Sequence, residues 1–407
     1  MRPPTRTGVY CPYCYEEISG LQAWFRCTGR MSPKGKRCPG EVDPVLRDHA
    51  GFTGAVPPAF AVGHRKNTAT CPTCEGETGI TICPVCRQRL PVHFGKVGSQ
   101  LIVPVGAKEA GKSVFMTVLV HELMHRAGQQ LNVAITGADD NTRQRFAEEY
   151  EQPLYRESRL LRPTTTAGDR SQPPLVFRFT SERRPPRFLN GPLARAGPPG
   201  SRDPQHTLLS IFDPAGEDLR SQQSTEQNVH PLTAADGILL LLDPLQMRGA
   251  RELAALGTRL PTPGGTGDEP TSVFEIVTDV LRGQDGDKPD QRIGKPLAIV
   301  FTKMDTLLHS LKATSPLLQP LPRGRYFDER DSVAVHTEIQ RLLARWEGTR
   351  IDQIARLNYH TYRYFGVSAL GESPTEDNRV SARGIRPYRV TSPVLWLLGQ
   401  FGTIPVR

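Results

Sequence analysis

The chain has 407 residues, 37% of them hydrophobic, which suffices for two or three domains with buried cores. It has no apolar run of about 18 residues and no signal-like N-terminal stretch, so the sequence predicts no membrane segment and a cytoplasmic location. The net charge of +9 is weak evidence for nucleic-acid binding. Much of it falls in a cysteine-rich N-terminal segment, where zinc-bound thiolates would offset most of it.

All the cysteines lie in that N-terminal segment, in two clusters. They are Cys11, Cys14, Cys27 and Cys38, then Cys71, Cys74, Cys83 and Cys86. In a cytosolic chain, C-x-x-C pairs at this spacing predict structural zinc sites rather than disulfides. We expect a zinc-binding module over 1–43, a linker over 44–70 and a zinc ribbon over 71–98, two zinc ions in all. Pairing across the clusters, or a ligand from His64 or His93, stays open.

Residues 106–113 form a complete G-x-x-x-x-G-K-S phosphate-binding motif between a strand-like run and a helix-forming run. Backbone N–H groups of such a turn converge on phosphate oxygens at a helix N-terminus. Lys112 is predicted to reach the β- and γ-phosphates, and the Ser113 hydroxyl to bind Mg²⁺. The residues predicted to surround the phosphates are Gly106, Ala107, Lys108, Glu109, Ala110, Gly111, Lys112, Ser113 and Val114.

The helix behind this motif carries a second pattern, His121-Glu-Leu-Met-His125. H-E-x-x-H is the signature of zinc metallopeptidases, in which both histidines bind the metal and the glutamate, here Glu122, is the general base. Glu148 or Glu149 would supply the third ligand. No second peptidase motif accompanies the pattern, so a metallopeptidase stays an alternative only.

The remaining chain alternates between apolar and polar stretches. The predicted strands are 100–105, 131–136, 174–180, 207–213, 237–243, 296–301 and 362–370. The predicted helices are 114–120, 142–161, 337–357 and 394–401, the last with Ser392 as its N-cap. Strands alternating with helices behind a phosphate loop predict an α/β fold for residues 99–407, a Rossmann-like sheet with helices on both faces.

Residues at the end of the 207–213 strand suit magnesium and γ-phosphate binding. Asp213 would hold Mg²⁺ through water, and the N–H of Gly216, three residues on, would contact the γ-phosphate. A threonine should also close over Mg²⁺ before the 174–180 strand. Thr165 is the candidate, with Thr164 and Thr166 equally suitable.

The segment Thr302-Lys-Met-Asp305 follows a buried strand at the sheet edge where ligands bind. Asp305 would accept hydrogen bonds from guanine N1–H and the exocyclic amine, which adenine does not offer. The Lys303 stem would lie over the base. The backbone N–H groups predicted to meet guanine O6 belong to Ser368, Ala369 and Leu370.

The motifs GAKEAGKS, DPAG, TKMD and SAL stand in the order of the GTPase signature. Residues 99–407 therefore resemble the Ras-like, translation-factor-related P-loop GTPase superfamily. The stretches DPAGED, YFGVSALG and PYRVTSPVLWLLGQFG are also similar to bacterial double-GTPase proteins. The resemblance implies a domain that binds GTP or GDP with Mg²⁺, and a signalling role in bacterial conflict or immunity systems.

Two residues depart from that signature. Thr302 stands where asparagine usually opens the base motif, which should weaken its packing on the phosphate loop. Glu217 stands where small GTPases often carry a water-orienting glutamine. Its carboxylate would either repel the γ-phosphate or, with a raised pKa, act as a base. We expect a slow or partner-stimulated GTPase with Lys112, Asp213, Gly216 and Glu217 as catalytic residues, and zinc modules that dock an unidentified protein partner. A nucleotide-binding adaptor without turnover is the alternative.

Overall fold

The structure is a computed structural model. It describes residues 9–18, 23–63, 67–92, 94, 98–107, 109–161, 174–182, 204–211, 230–261, 269–283, 291–322 and 324–407. Several predicted site residues lie outside these ranges. They are Lys108, Thr165 with its two neighbours, Asp213, Gly216 and Glu217.

The cysteine-rich end of the chain forms short antiparallel strands and one helix. They are β1 (Val9–Tyr10), β2 (Glu17–Ile18), β3 (Ala23–Arg26), β4 (Glu41–Val42), α1 (Pro44–Ala50), β5 (Ala55–Val56), β6 (Ala59–Val62), β7 (Ala69–Thr70), β8 (Glu77–Thr78) and β9 (Thr81–Ile82). Strand β3 pairs with both β6 and β9. The segment 44–70, expected as a linker, therefore contributes the helix α1 and the three strands β5, β6 and β7 to this region.

The rest of the chain is built on a seven-stranded sheet with the order β11-β12-β13-β10-β14-β15-β16. Its strands are β10 (Gly98–Gly106), β11 (Val133–Gly137), β12 (Leu175–Glu182), β13 (Pro204–Ile211), β14 (Gly237–Leu242), β15 (Leu297–Phe301) and β16 (Tyr362–Gly366). β12 is antiparallel to both its neighbours, and the pairs from β13 to β16 are parallel. This is the mostly parallel α/β sheet that the sequence predicts.

Helices cover both faces of the sheet. They are α2 (Lys112–Met124), α3 (Arg126–Leu131), α4 (Asp140–Arg145), a π-helix (Phe146–Arg156), α5 (Arg248–Arg251), α6 (Pro270–Arg282), α7 (Glu329–Arg345), α8 (Thr349–Asn358) and α9 (Ser392–Gln400). Alternate residues of β10 divide between two cores: Leu101 and Val103 face α6, α7 and α8, whereas Ile102 faces α2 and α9. Every residue of β14 and β15 is buried, as their unbroken apolar sequences predict.

Two predicted helices differ in detail. The stretch 337–357 is two helices, because the chain turns at Glu347, whose φ of 62° is left-handed, and at Gly348. The predicted N-cap Ser392 is instead the first residue of α9, and Thr391 precedes it. Within the described ranges, every helix is too short or too polar to cross a lipid bilayer.

The cysteine-rich region packs against one face of β12 and β13. Val176 of β12 is fully buried among Cys11, Tyr13 and other residues of that region. The Tyr13 hydroxyl donates to Asp139 at 2.7 Å, and the Ser210 hydroxyl donates to the Pro12 carbonyl at 2.6 Å. The region thus covers part of the sheet on the side opposite α2.

Candidate functional site

The phosphate motif forms the predicted turn between β10 and α2. At Gly106 a side chain is excluded, because a Cβ there would lie 2.2 Å from the carbonyl oxygen of Leu241 on the neighbouring strand. Gly111 has a φ of 79° and leads directly into α2, whose first N–H groups point back to the loop. The buried Lys112 ammonium donates to the Gly106 and Ala107 carbonyls at 3.0 and 3.1 Å. The turn therefore has both features that phosphate binding needs, a helix N-terminus and a cation.

The base motif is linked directly to this turn through Thr302. Its hydroxyl donates to the carbonyl oxygen of Ala110 at 2.9 Å and lies 3.3 Å from that of Leu242. The side chain reaches across the end of β14 to do this, since β14 separates β15 from β10. Threonine thus retains a contact with the phosphate loop, where the sequence led us to expect weaker packing.

Lys303 is held by a residue for which the sequence analysis predicts no role. Its Nζ lies 2.6 Å from Oδ2 of Asp243, a carboxylate that is fully buried. The other oxygen of Asp243 accepts the Leu245 N–H at 2.9 Å. Asp243 directly follows the apolar strand β14, which lies beside β15 and the base motif. An acidic residue at the end of a buried strand is the sequence feature that could have predicted this contact. In this structure it orients Lys303 at the carboxyl edge of the sheet.

Asp305 and Ser368 lie together because their strands, β15 and β16, run parallel in register. The Met304 N–H donates to the Val367 carbonyl at 3.0 Å, which extends the pairing beyond the strands. Burial raises the pKa of Asp305, while a hydrogen bond with Ser368 and the charge of Lys303 act in the opposite direction. The backbone of Ser368 is fixed by paired hydrogen bonds with Tyr388, at 3.0 and 2.8 Å. A half-buried carboxylate of this kind suits the two N–H donors of guanine.

The eight cysteines form two groups of four. The first is Cys11, Cys14, Cys83 and Cys86, and the second is Cys27, Cys38, Cys71 and Cys74. Their pairing within each sequence cluster, which we expected, is therefore wrong, and the cross-cluster alternative is what the structure shows. The reason is that β3 pairs with β6 and β9, which brings the early and late cysteine pairs together.

Both groups have the dimensions of a zinc–thiolate site. The closest sulfur pairs across the clusters are 3.8, 3.7, 3.6 and 3.8 Å apart. Sulfurs bound to zinc at about 2.3 Å stand about 3.8 Å apart at the corners of a tetrahedron. Disulfide sulfurs would lie about 2 Å apart. With four ligands and no open position, each group suits a structural zinc ion.

The H-E-x-x-H residues lie at the far end of α2. His121 is in its last turn, and His125 is the residue that follows the helix. The carboxylate beside them belongs to Glu151, so the expected third ligands, Glu148 and Glu149, are wrong. The magnesium, γ-phosphate and catalytic assignments to Asp213, Gly216, Glu217 and Thr165 stay predictions.

No known protein-family model matches the chain. A curated relative from Mycolicibacterium smegmatis, "Putative ESX-1 scaffolding and assembly protein SaeC", is 28% identical over 342 residues, covering 80% of this chain and 81% of the relative. That name refers to scaffolding and assembly and does not mention conflict signalling.

Two solved structures of nucleotide-bound proteins are also similar. One is the small GTPase Arl6 BBS3 of Trypanosoma brucei with GppNp, at 9% identity and a TM-score of 0.29, over 75% of this chain and 99% of that one. The other is Sup35 with GDP, at 15% identity and a TM-score of 0.25, over 71% of this chain and 41% of that one. Superpositions of this kind carry no argument about activity, which has to come from the site itself.

Proposed function

We propose that residues 99–407 bind a guanine nucleotide with Mg²⁺ and act as a slow or partner-stimulated GTPase switch. The observation that carries this is the contact between the two motifs: the Thr302 hydroxyl bonds the phosphate loop at Ala110. One nucleotide can therefore meet Lys112 with its phosphates and Asp305 with its base.

Guanine specificity would follow from Asp305. Its carboxylate is half-buried, and burial raises its pKa, so leaving the charge unpaired is costly. Guanine offers an N–H and an amine to this acceptor, whereas adenine presents an unprotonated ring nitrogen there. Lys303, held by Asp243, would place its aliphatic stem over the base.

The zinc-bound N-terminal region would dock a protein partner. It contacts β13 at Ser210, three residues before Asp213. The region is thus anchored to the strand that precedes the predicted magnesium aspartate in the sequence. The name of the relative, with its reference to scaffolding and assembly, supports a partner that belongs to a protein-assembly machinery.

Nucleotide titration tests the proposal. Fluorescently labelled GDP and GTP should bind more tightly than labelled ATP, and Lys112→Ala should abolish binding of all three. Asp305→Asn should lose GDP but gain xanthosine diphosphate, because the amide then donates to the carbonyl that xanthine carries at C2. Tighter binding of ATP than of GTP would refute guanine specificity.

Turnover needs a separate measurement. Single-turnover phosphate release from bound GTP should be slow, and candidate partners that bind the zinc region should accelerate it. Asp213→Asn should slow release further, and Glu217→Gln reports whether the carboxylate hinders or assists water attack. If no phosphate is released with any such partner, the adaptor without turnover is the better description.

A further inference from the structure

A group of metal-ligand side chains lies at the end of α2 remote from the phosphate loop, where the π-helix packs against it. It consists of His121, His125 and Glu151, whose ligand atoms all lie within 4.8 Å of one another. His125 is exposed, and the other two are half-buried. The group is thus fixed on one side by protein and open to solvent on the other.

The side chains of this group are already ordered by contacts with each other. His121 Nδ1 and Glu151 Oε1 are 2.8 Å apart, and the two imidazole centroids are 4.3 Å apart. Tyr155 stacks on His121 at 3.7 Å, which fixes the plane of that ring. The Tyr155 hydroxyl is shielded from solvent and has no hydrogen-bond partner among the described residues. An unpaired buried hydroxyl next to a ligand group is a second sign of a site that takes a further molecule.

Glu151 and Tyr155 both belong to the π-helix, four residues apart. Residues four apart lie on the same face of this helix, as they would on an α-helix. Glu151 and Tyr155 therefore both face His121. Helices of this kind are rare and occur frequently at functional sites.

We propose that His121, His125 and Glu151 bind one divalent transition-metal ion of the zinc, cobalt and nickel class, with a coordination position left open to water. Two imidazoles and a carboxylate are ligands for such ions, whereas Mg²⁺ prefers oxygen ligands alone. The site is distinct from both four-cysteine groups. It is also distinct from the predicted nucleotide magnesium, because Ser113 and His121 are about 12 Å apart along the helix. The inference does not depend on the proposed function.

Cobalt titration of the full-length protein with its cysteine sites filled with zinc tests this site. One Co²⁺ per chain should bind with weak visible d–d absorption and without the intense thiolate charge-transfer bands of a cysteine site. His125→Ala and Glu151→Gln should each weaken this binding at least tenfold. Loss of a residue that only hydrogen-bonds to a metal ligand already lowers metal affinity by about 10- to 100-fold, and these two residues would bind the metal directly. Cobalt should also raise the melting temperature of the wild type and not of these variants.

The exposed histidine at 360 provides a matched control, and His360→Ala should bind cobalt like the wild type. Circular dichroism and labelled-GDP binding on the same variants show whether they fold. If the folded His125→Ala protein binds as much cobalt as the wild type with equal affinity, the group is only a hydrogen-bonded histidine–glutamate pair. Failure of GDP binding in every protein would count against the nucleotide proposal and leave this result unaffected.

Discussion

Thr302 is the residue whose single hydroxyl joins the base motif to the phosphate loop. It lies in a buried environment, where a carbonyl that loses its donor is costly. Thr302→Val keeps the shape and removes the hydroxyl, so we expect a loss of about 1–3 kcal/mol in stability and weaker binding of GDP. Urea unfolding and labelled-GDP titration measure the two effects. Thr302→Ser, which keeps the donor, should stay close to the wild type, and an equal loss in both variants would contradict the assigned hydrogen bond.

Under the proposed function, Asp305 should make guanine binding sensitive to pH. Burial raises its pKa, so the folded protein holds this proton at a pH where the unfolded chain has released it, and ionisation costs stability as pH rises through that window. Guanine requires the ionised form as acceptor. GDP affinity should therefore fall as pH is lowered toward the raised pKa, before an ordinary aspartate would protonate. Labelled-GDP titration across pH measures this, and xanthosine diphosphate binding to Asp305→Asn should lack the same step.

At the scale of elements, α7 protects the outer edge of the sheet. The Tyr364 N–H of the edge strand β16 donates to His336 Nδ1 on α7 at 3.2 Å, and the two rings stack at 5.1 Å. Burial, with the charge of Arg363, lowers the pKa of His336 to about 4. The imidazole is therefore neutral at neutral pH and able to accept the hydrogen bond. An unpaired strand edge is otherwise open to pairing with other chains.

This contact predicts part of the acid sensitivity of the fold. The unfolded chain binds a proton at His336 near pH 6.5, whereas the folded protein binds it only near pH 4. The stability that neutral His336 contributes is therefore complete above pH 6.5 and is lost as the pH falls toward 4. We expect a loss of about 2 kcal/mol between pH 7 and 4.5, after allowance for partial solvent access. Urea unfolding at both pH values should show a smaller loss in His336→Gln. His360→Gln is the control, and equal losses in all three proteins would contradict the assignment.

Elements whose sequence pattern is local were predicted well. The phosphate loop with β10 and α2, and the buried strands β14 and β15, follow from glycine positions and unbroken apolar runs. The π-helix was not predictable, because its sequence is also compatible with an α-helix. The Asp243–Lys303 contact depends on which strands become neighbours, which is a property of the sheet order and not of either segment.

At the scale of the whole molecule, the cysteine-rich region is one unit held by sites that its two ends share. Spacing alone favoured one site in each cluster, because close cysteines are the simplest partners. What decided otherwise is the pairing of β3 with β6 and β9, a tertiary feature. The same unit buries Val176 of the sheet, so its zinc content should influence the stability of the whole protein.

Removal of one cysteine pair tests the shared ligands. In the double variant Cys11→Ser/Cys14→Ser, we expect the loss of one of two zinc ions and the release of Cys83 and Cys86, their partners in the structure. Alkylation followed by mass spectrometry should label these two thiols quickly and leave the other group protected. Rapid labelling of Cys27 and Cys38 instead would show that each zinc site is formed within one sequence cluster. Cys71→Ser/Cys74→Ser is the matched variant, and it should expose Cys27 and Cys38.

The shared ligands also fix an order of folding events. One site closes a loop from Cys38 to Cys71, 33 positions apart, and it lies within the loop from Cys14 to Cys83, 69 positions apart. Once the inner loop has closed, only the short segments that flank it still have to be ordered. The entropic free-energy cost of closing the outer loop then falls by about 1 kcal/mol. During synthesis, the inner site is complete once Cys71 and Cys74 have emerged, whereas the outer site also needs Cys83 and Cys86. The inner site should therefore close first and bring the ligands of the outer site together.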